Sequence, residues 1–215
     1  MNPDPAASLG AVIREVAVRE HQGKPARAVI AARSYDTDMD DLWDALTSAE
    51  RIPRWFLPIS GDLKLGGRYQ FQGNAGGEIT RCEPPRLFSV TWEYGSQVSW
   101  LTVTLAAESA GRTRLELEHV AHVEGDLWDR FGPGAVGVGW DLALTGLSRH
   151  LASGAAVDHA AAMAWSTSEE GKRFMRASSE AWGRASIAAG TDEAAALAAA
   201  GRTTAFYTGE PEAGG

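Results

Sequence analysis

Apolar and polar residues alternate along several segments between residues 11 and 121. A period of two is typical of strands that bury one face. Segments 11–20 and 26–35 flank a Gln22-Gly23-Lys24 turn and predict a hairpin. Further turn-linked segments follow, so we expect a curved antiparallel sheet. The residues that alternation places together on one face of their strand are Tyr69 and Phe71, then Phe88, Val90, Trp92 and Tyr94, then Leu101, Val103 and Leu105, and finally Leu115, Leu117 and His119.

The pattern changes to a helical one after a glycine-rich stretch that begins at Gly132. Apolar residues then recur every three or four positions, which predicts an amphipathic helix. A helix of this length spans about 24 Å, enough to cross a sheet and close a cavity against it. Two shorter helices are predicted after Asp36-Thr-Asp38, a helix-start signal, and over residues 50–56. The long helix carries its stripe at Val136, Trp140, Leu144, Leu147 and Leu151.

The chain becomes alanine-rich after residue 154. Thr167-Ser-Glu-Glu170 fits a capping box, and Phe174 with Ala177, Ala181, Ala185 and Ala188 predicts one helical face. Gly190 predicts a stop, and Thr191-Asp192 can begin a second helix. We therefore predict three parts: a domain over residues 10–154, an α-helical extension over 155–207, and a frayed tail over 208–215.

Composition narrows the class of protein. The 215 residues carry a net charge of −8, which argues against a nucleic-acid or anionic membrane partner. The N-terminal residues lack the pattern of a signal peptide, and no apolar run is long enough to span a bilayer. We therefore expect a cytoplasmic protein. Cys82 is the only cysteine, so no intrachain disulfide and no cysteine-based zinc site is expected.

Four strings in a fixed order resemble a known superfamily. They are Ala32–Asp38 running into Leu42–Thr47, then Ile52–Pro58, then Thr113–His119, and finally Gly139–Leu147. Over roughly residues 10–153 the chain resembles the START/Bet v 1-like (SRPBCC) superfamily, in the branch similar to the C-terminal domain of the activator of Hsp90 ATPase. The resemblance implies an α+β helix-grip fold, in which a curved antiparallel sheet wraps around a long C-terminal helix and leaves an apolar cavity. It implies no single activity, because the superfamily includes lipid carriers, receptors, polyketide cyclases and cochaperone modules.

Aromatic side chains concentrate where this cavity is expected, and such residues suit a flat apolar ligand. Plain core packing is the alternative for each of them. No cofactor and no metal site is predicted, and no catalytic residue is assigned. The predicted ligand-binding residues are Trp55, Phe56, Tyr69, Phe71, Trp92, Tyr94, His119, Trp140 and Leu144.

Several single residues allow two interpretations. His119 is either a general acid or base or a hydrogen-bonded core residue. His119 and His122 would lie on opposite faces of a strand, which argues against a shared metal. Asp141 is expected to face solvent. The glycines at 137 and 139 lack the strand of a dinucleotide-binding unit, so we expect a loop over the cavity entrance.

Three functions remain open from the sequence. The first is binding of a small apolar molecule without chemistry. The second is a polyketide cyclase or hydrolase-like enzyme that uses the same cavity, and the third is a chaperone-associated module with an Hsp90-type partner. The helical extension could dock on its own domain or on a second copy as a homodimer.

Overall fold

The structure, a computed structural model, describes residues 5–123 and 127–211. Its sheet has eight antiparallel strands in the order β1-β2-β8-β7-β6-β5-β4-β3. The first hairpin returns to the last strand, since β2 pairs with β8, and the meander from β3 to β8 completes the sheet. The strands are β1 (Ile13–His21), β2 (Lys24–Tyr35), β3 (Ile59–Gly61), β4 (Arg68–Phe71), β5 (Gly76–Glu83), β6 (Leu87–Tyr94), β7 (Gln97–Ser109) and β8 (Arg112–His122).

Seven α-helices accompany the sheet within the described residues, and a short 3-10 helix covers Ile52–Arg54. Asp38 caps α2 as predicted, because its carboxylate accepts a hydrogen bond from the Asp41 amide. The α-helices are α1 (Pro5–Gly10), α2 (Met39–Thr47), α3 (Leu127–Phe131), α4 (Gly134–Ser153), α5 (His159–Thr167), α6 (Glu169–Ala188) and α7 (Glu193–Thr208).

The long helix α4 lies against the inner face of the sheet and forms one core with it. Leu144 and Leu147 of α4 are buried together with Leu115 and Leu117 of β8. The predicted α+β helix-grip fold is therefore confirmed.

Helix α4 is covered on a second side by the helices that follow it. Trp182 of α6 is fully buried, and a side chain at Gly137 of α4 would lie only 2.4 Å from its indole ring. Gly134 is similarly close to Thr203 of α7. The expected entrance loop is therefore wrong: these glycines lie inside α4 and permit close packing of the helical extension.

The expected exposure of Asp141 is also wrong. Its side chain is fully buried in an ion pair with Arg14 of β1, with 3.0 Å between Nη2 and Oδ1. Ser178 and Trp182 of α6 donate to Oδ2 at 2.5 and 3.1 Å. Burial raises the pKa of Asp141, while Arg14 and the two donors act in the opposite direction. The carboxylate thus connects the sheet, the long helix and the extension.

The extension differs in detail from the sequence prediction. Ser168, rather than Thr167, caps α6, and the buried face of α6 carries serines instead of the predicted alanines. Asp192 caps α7 as predicted. The buried residues of α6 are Gly171, Phe174, Met175, Ser178, Ser179, Trp182, Gly183 and Ser186.

Phe174 and Trp182, the two large aromatic residues of α6, are both buried within the chain. A homodimer stays a prediction, as does the domain boundary at residue 154.

In the predicted frayed tail, Glu210 contacts Lys172 and Arg176 at 3.4 and 3.0 Å. Residues 212–215 of this tail lie outside the described residues.

Candidate functional site: an apolar cavity between sheet and helix

A cavity of about 130 Å³ lies between the sheet and α4. Residues from α2, the 3-10 helix, the strands and α4 contribute to its wall, and nearly all of them are apolar. Most of the wall comes from alternate strand residues that point inward, as a period of two requires. The lining residues are Leu46, Thr47, Ile52, Trp55, Phe56, Ile59, Leu63, Lys64, Tyr69, Phe71, Ile79, Cys82, Phe88, Val90, Trp92, Leu101, Val103, Leu117, Trp140 and Ala143.

Aromatic rings form a connected series along one side of the cavity. The ring centroids of Phe56 and Phe71 are 4.9 Å apart, and those of Phe71 and Trp92 are 5.8 Å apart. Trp92 then contacts Trp140 of α4 at 5.0 Å. These separations are typical of edge-to-face and tilted pairs, which hold one another in place. The wall is therefore largely preformed.

The polar groups of these aromatic residues are mostly used inside the protein. The Tyr69 hydroxyl donates to the Thr91 carbonyl at 2.8 Å, and burial raises the pKa of Tyr69. Trp55 Nε1 donates to the Ala45 carbonyl at 2.8 Å. A ligand in the cavity consequently meets ring faces and methyl groups rather than free hydroxyls.

His119 lies behind the wall and fixes Trp140. Trp140 Nε1 is 3.0 Å from His119 Nδ1, and His119 Nε2 is 2.7 Å from the Ser99 hydroxyl. An indole nitrogen can only donate, so Nδ1 accepts and the proton of neutral His119 is on Nε2. Ser99 in turn donates to the Trp92 carbonyl at 3.1 Å. A single directed chain of hydrogen bonds therefore joins Trp140 and Trp92.

This chain leaves His119 poorly suited to acid–base chemistry. Burial lowers its pKa to about 4. Both ring nitrogens already have partners in the protein, so a proton transfer to a ligand would break one of these bonds. The geometry therefore favours the structural interpretation of His119 over the catalytic one.

Six of the nine predicted ligand-binding residues line the cavity: Trp55, Phe56, Tyr69, Phe71, Trp92 and Trp140. Tyr94 does not, because it lies at the end of β6, beyond the wall, and is 61% exposed. Leu144 is buried in the core next to the cavity without lining it. His119 contributes only through Trp140 and Ser99. The structure therefore places Tyr94, Leu144 and His119 outside the cavity lining, and ligand binding by the other six residues stays a prediction.

Sequence reasoning missed three residues that line the cavity, namely Lys64, Ile79 and Cys82. Ile79 and Cys82 both line it although they are three positions apart on β5. A register shift between Ile79 and Arg81 marks a β-bulge, which brings both side chains to the same face. Lys64 comes from the loop before β4 and carries no strand pattern. No periodicity in the sequence could indicate these three residues.

The described part of the chain holds no group of three or more His, Cys, Asp or Glu side chains that could bind a metal ion. His122, the second histidine of β8, makes a tilted ring contact with Trp100 on the outer face of the sheet, away from His119. No helix among the described residues is long and apolar enough to cross a membrane.

Comparison with known proteins agrees with this architecture. Residues 36–152 match the family model described as Activator of Hsp90 ATPase homolog 1-like protein. The chain belongs to this family. The START/Bet v 1-like resemblance is thereby confirmed, and the match spans α2, the cavity wall and nearly all of α4. No curated protein matches the chain.

Solved structures extend the likeness of this family member beyond the matched residues. CalU16 from Micromonospora echinospora is 33% identical in its crystal structure, with a TM-score of 0.65 over 81% of this chain and 98% of that chain. Its solution structure gives 31% identity and a TM-score of 0.66, over 83% and 97% of the two chains. MLL2253 from Mesorhizobium loti is 25% identical, with a TM-score of 0.52 over 59% and 97%. CalU16 thus covers a larger share of the chain than the family model does.

Proposed function

We propose that this protein binds a small apolar molecule in the cavity between the sheet and α4. The single observation that carries the proposal is a preformed aromatic space whose wall offers almost no free polar group. Plain core packing would fill such a space with side chains, because protein interiors leave few voids larger than a water molecule. A persistent apolar cavity is a site that a ligand can occupy.

The size of the cavity sets the size of the ligand. A dry apolar cavity of about 150 Å³ in another protein accommodates benzene. The cavity of about 130 Å³ found in this protein therefore suits one aromatic ring or an aliphatic group of similar bulk. A ligand of eight to ten atoms that gains apolar contacts alone binds with a Kd on the order of 0.1 mM.

Cys82 provides a reporter for the test, since it lines the cavity and is the only thiol of the chain. The rate at which iodoacetamide alkylates Cys82 is measured with and without near-saturating ethylbenzene. We expect the ligand to slow alkylation several-fold. A polar solute of similar volume, such as cyclohexanediol, serves as the control and leaves the rate unchanged.

A variant of the cavity wall separates binding from unspecific effects. Ala143→Phe places a ring where α4 faces the cavity, so ethylbenzene no longer protects Cys82 in this variant. An alkylation rate that stays equal with and without ethylbenzene in the unmodified protein contradicts the proposal. Native mass spectrometry of the purified protein before and after denaturing extraction shows in addition whether a ligand is carried along.

Association with an Hsp90-type chaperone is the second candidate, because the family takes its name from an Hsp90 ATPase activator. The family model covers strands β3 to β8 and nearly all of α4, so such an interaction would use the surface of this unit rather than the cavity. A pull-down with purified Hsp90 tests it directly. Retention of the chaperone supports this function, and its absence at micromolar concentrations of both proteins contradicts it.

A further inference from the structure

Four polar groups of the cavity wall already donate their hydrogen bonds to protein atoms. Inside, the hydroxyl of Tyr69 and the indole N–H groups of Trp55 and Trp140 are donated to protein acceptors. The hydroxyl of Thr47 likewise donates to the Trp43 carbonyl at 2.8 Å. These four groups therefore have no N–H or O–H hydrogen left to donate to a ligand.

Two further groups of the lining residues can donate hydrogen bonds. Trp92 Nε1 makes no hydrogen bond with the described residues, although the ring lines the cavity. Lys64 is the one charged residue among the lining residues that the structure describes, and its ammonium group carries three donors. A ligand that uses these groups must supply acceptors, and the cation at the rim favours an anionic one.

The loop that presents Lys64 is held in place by its backbone. The Gly66 amide donates to the Ile79 carbonyl at 2.8 Å, and the Ile79 amide donates to the Gly67 carbonyl at 2.9 Å. The Gly67 amide also donates to the Lys64 carbonyl at 2.8 Å. The position of the Lys64 backbone is thus tied to β5, while its side chain can move.

The present partner of Lys64 is replaceable. Its ammonium group lies 2.7 Å from Asp62, but the two side chains are 73% and 58% exposed. Ion pairs at such exposure are weak, since water competes for both groups. A ligand carboxylate anchored by its ring in the cavity would be held near Lys64 at a high effective concentration.

We propose that the natural ligand is an amphipathic acid, with an apolar ring or chain in the cavity and a carboxylate or similar anionic group that Lys64 binds at the rim. This inference rests on the proposed function and specifies the class of its ligand. The net charge of −8 disfavours unspecific attraction of anions, so a preference for an acid has to arise locally at Lys64.

Three probes that share a phenyl ring and differ in charge distinguish the contribution of charge to the affinity from that of apolar contacts. They are propylbenzene, 3-phenylpropionate and 3-phenylpropylamine. Their affinities are measured by calorimetry on the unmodified protein, on Lys64→Met and on Lys172→Met. Lys172 lies on α6 outside the cavity lining, so its replacement makes the same change in net charge without touching the site. Phenylacetate and 4-phenylbutyrate are measured as well as 3-phenylpropionate. The chain length of the acid that binds most tightly reports the distance between the bound ring and Lys64.

We expect the unmodified protein to bind the best acid at least fivefold more tightly than the amine. Lys64→Met abolishes this preference, whereas Lys172→Met keeps both the preference and the affinity for propylbenzene. Asp62→Asn strengthens it, because the competing carboxylate is removed. Binding of propylbenzene without any preference for the acid, or a preference that survives in Lys64→Met, overturns the inference and leaves the proposed function standing. Failure of all three probes to bind overturns both.

Discussion

Arg14 and Asp141 form a buried ion pair that joins two segments 127 positions apart in the chain. Arg14 lies on β1 at the edge of the sheet, and Asp141 lies in the middle of α4. The guanidinium group also donates to the carbonyls of Leu9 and Val12 at 3.1 and 2.9 Å. With Ser178 and Trp182 bonded to the same carboxylate, the pair connects the edge of the sheet, the gripped helix and the extension.

Removing one partner of this pair is expected to be costly. Arg14→Met leaves the Asp141 carboxylate buried without its cation, and such losses amount to about 3–5 kcal/mol of unfolding free energy. Arg19→Met is the matched control, since Arg19 lies on the same strand and pairs with Glu118 at the surface. The control loses under about 1 kcal/mol. Urea denaturation of both variants measures the difference, and equal losses would contradict a special role of the buried pair.

The contact between Gly137 and Trp182 predicts a sharp difference between two glycine substitutions. Gly137→Ala drives a methyl group into the indole ring and separates α6 from α4, with an expected loss of about 2 kcal/mol or more. Gly201→Ala, in the middle of α7, meets no atom within 4 Å and gains up to about 1 kcal/mol from helix propensity. Thermal unfolding compares the two. A neutral Gly137→Ala would show that the extension does not pack closely on α4.

His119 predicts a component of the pH dependence of stability. The folded protein keeps His119 neutral down to about pH 4, whereas an ordinary histidine takes up its proton near pH 6.5. Between these values the unfolded chain binds more protons, so this contribution is complete above pH 6.5 and is lost as the pH falls to 4. The shift corresponds to about 3 kcal/mol.

The matched variant is His119→Gln, whose amide can accept from Trp140 and donate to Ser99. Unfolding free energies of the two proteins are measured from pH 7.5 to pH 4. We expect the difference between them to shrink by about 3 kcal/mol across this range, as the histidine loses its advantage. Parallel curves would mean that His119 takes up its proton in the folded state, and would reopen its role as an acid or base.

The periodic parts of the fold could be predicted from the sequence because they depend on local pattern. Alternation located the strands, and the stripe through Trp140 and Leu147 located the gripped helix. The same alternation assigned Tyr94 and Trp92 to one face of β6. Alternation does not show where the strand ends, and Tyr94, the last residue of β6, lies beyond the cavity that Trp92 lines. Alternation therefore assigns too many residues to the cavity wall, because side chains near the end of a strand can lie beyond the cavity.

The remaining errors come from contacts between distant segments. Asp141 was expected to face solvent because its burial depends on Arg14 and α6, which are distant from it in the sequence. The glycines of α4 look like a loop because their partner, Trp182, lies more than 40 positions downstream. Cys82 joins the cavity only through a bulge in β5. None of these contacts produces a periodic pattern in the sequence, so they could not be predicted from it.

Calorimetric titration with ethylbenzene, of the unmodified protein and of Ala143→Phe, tests whether the cavity binds an apolar ligand. We expect saturable binding at one site of the unmodified protein, with a negative heat-capacity change from burial of apolar surface. We expect no binding by Ala143→Phe, whose folding is checked by circular dichroism. Absence of binding by the unmodified protein up to the solubility limit of ethylbenzene, or unchanged binding by Ala143→Phe, would contradict a ligand site in this cavity.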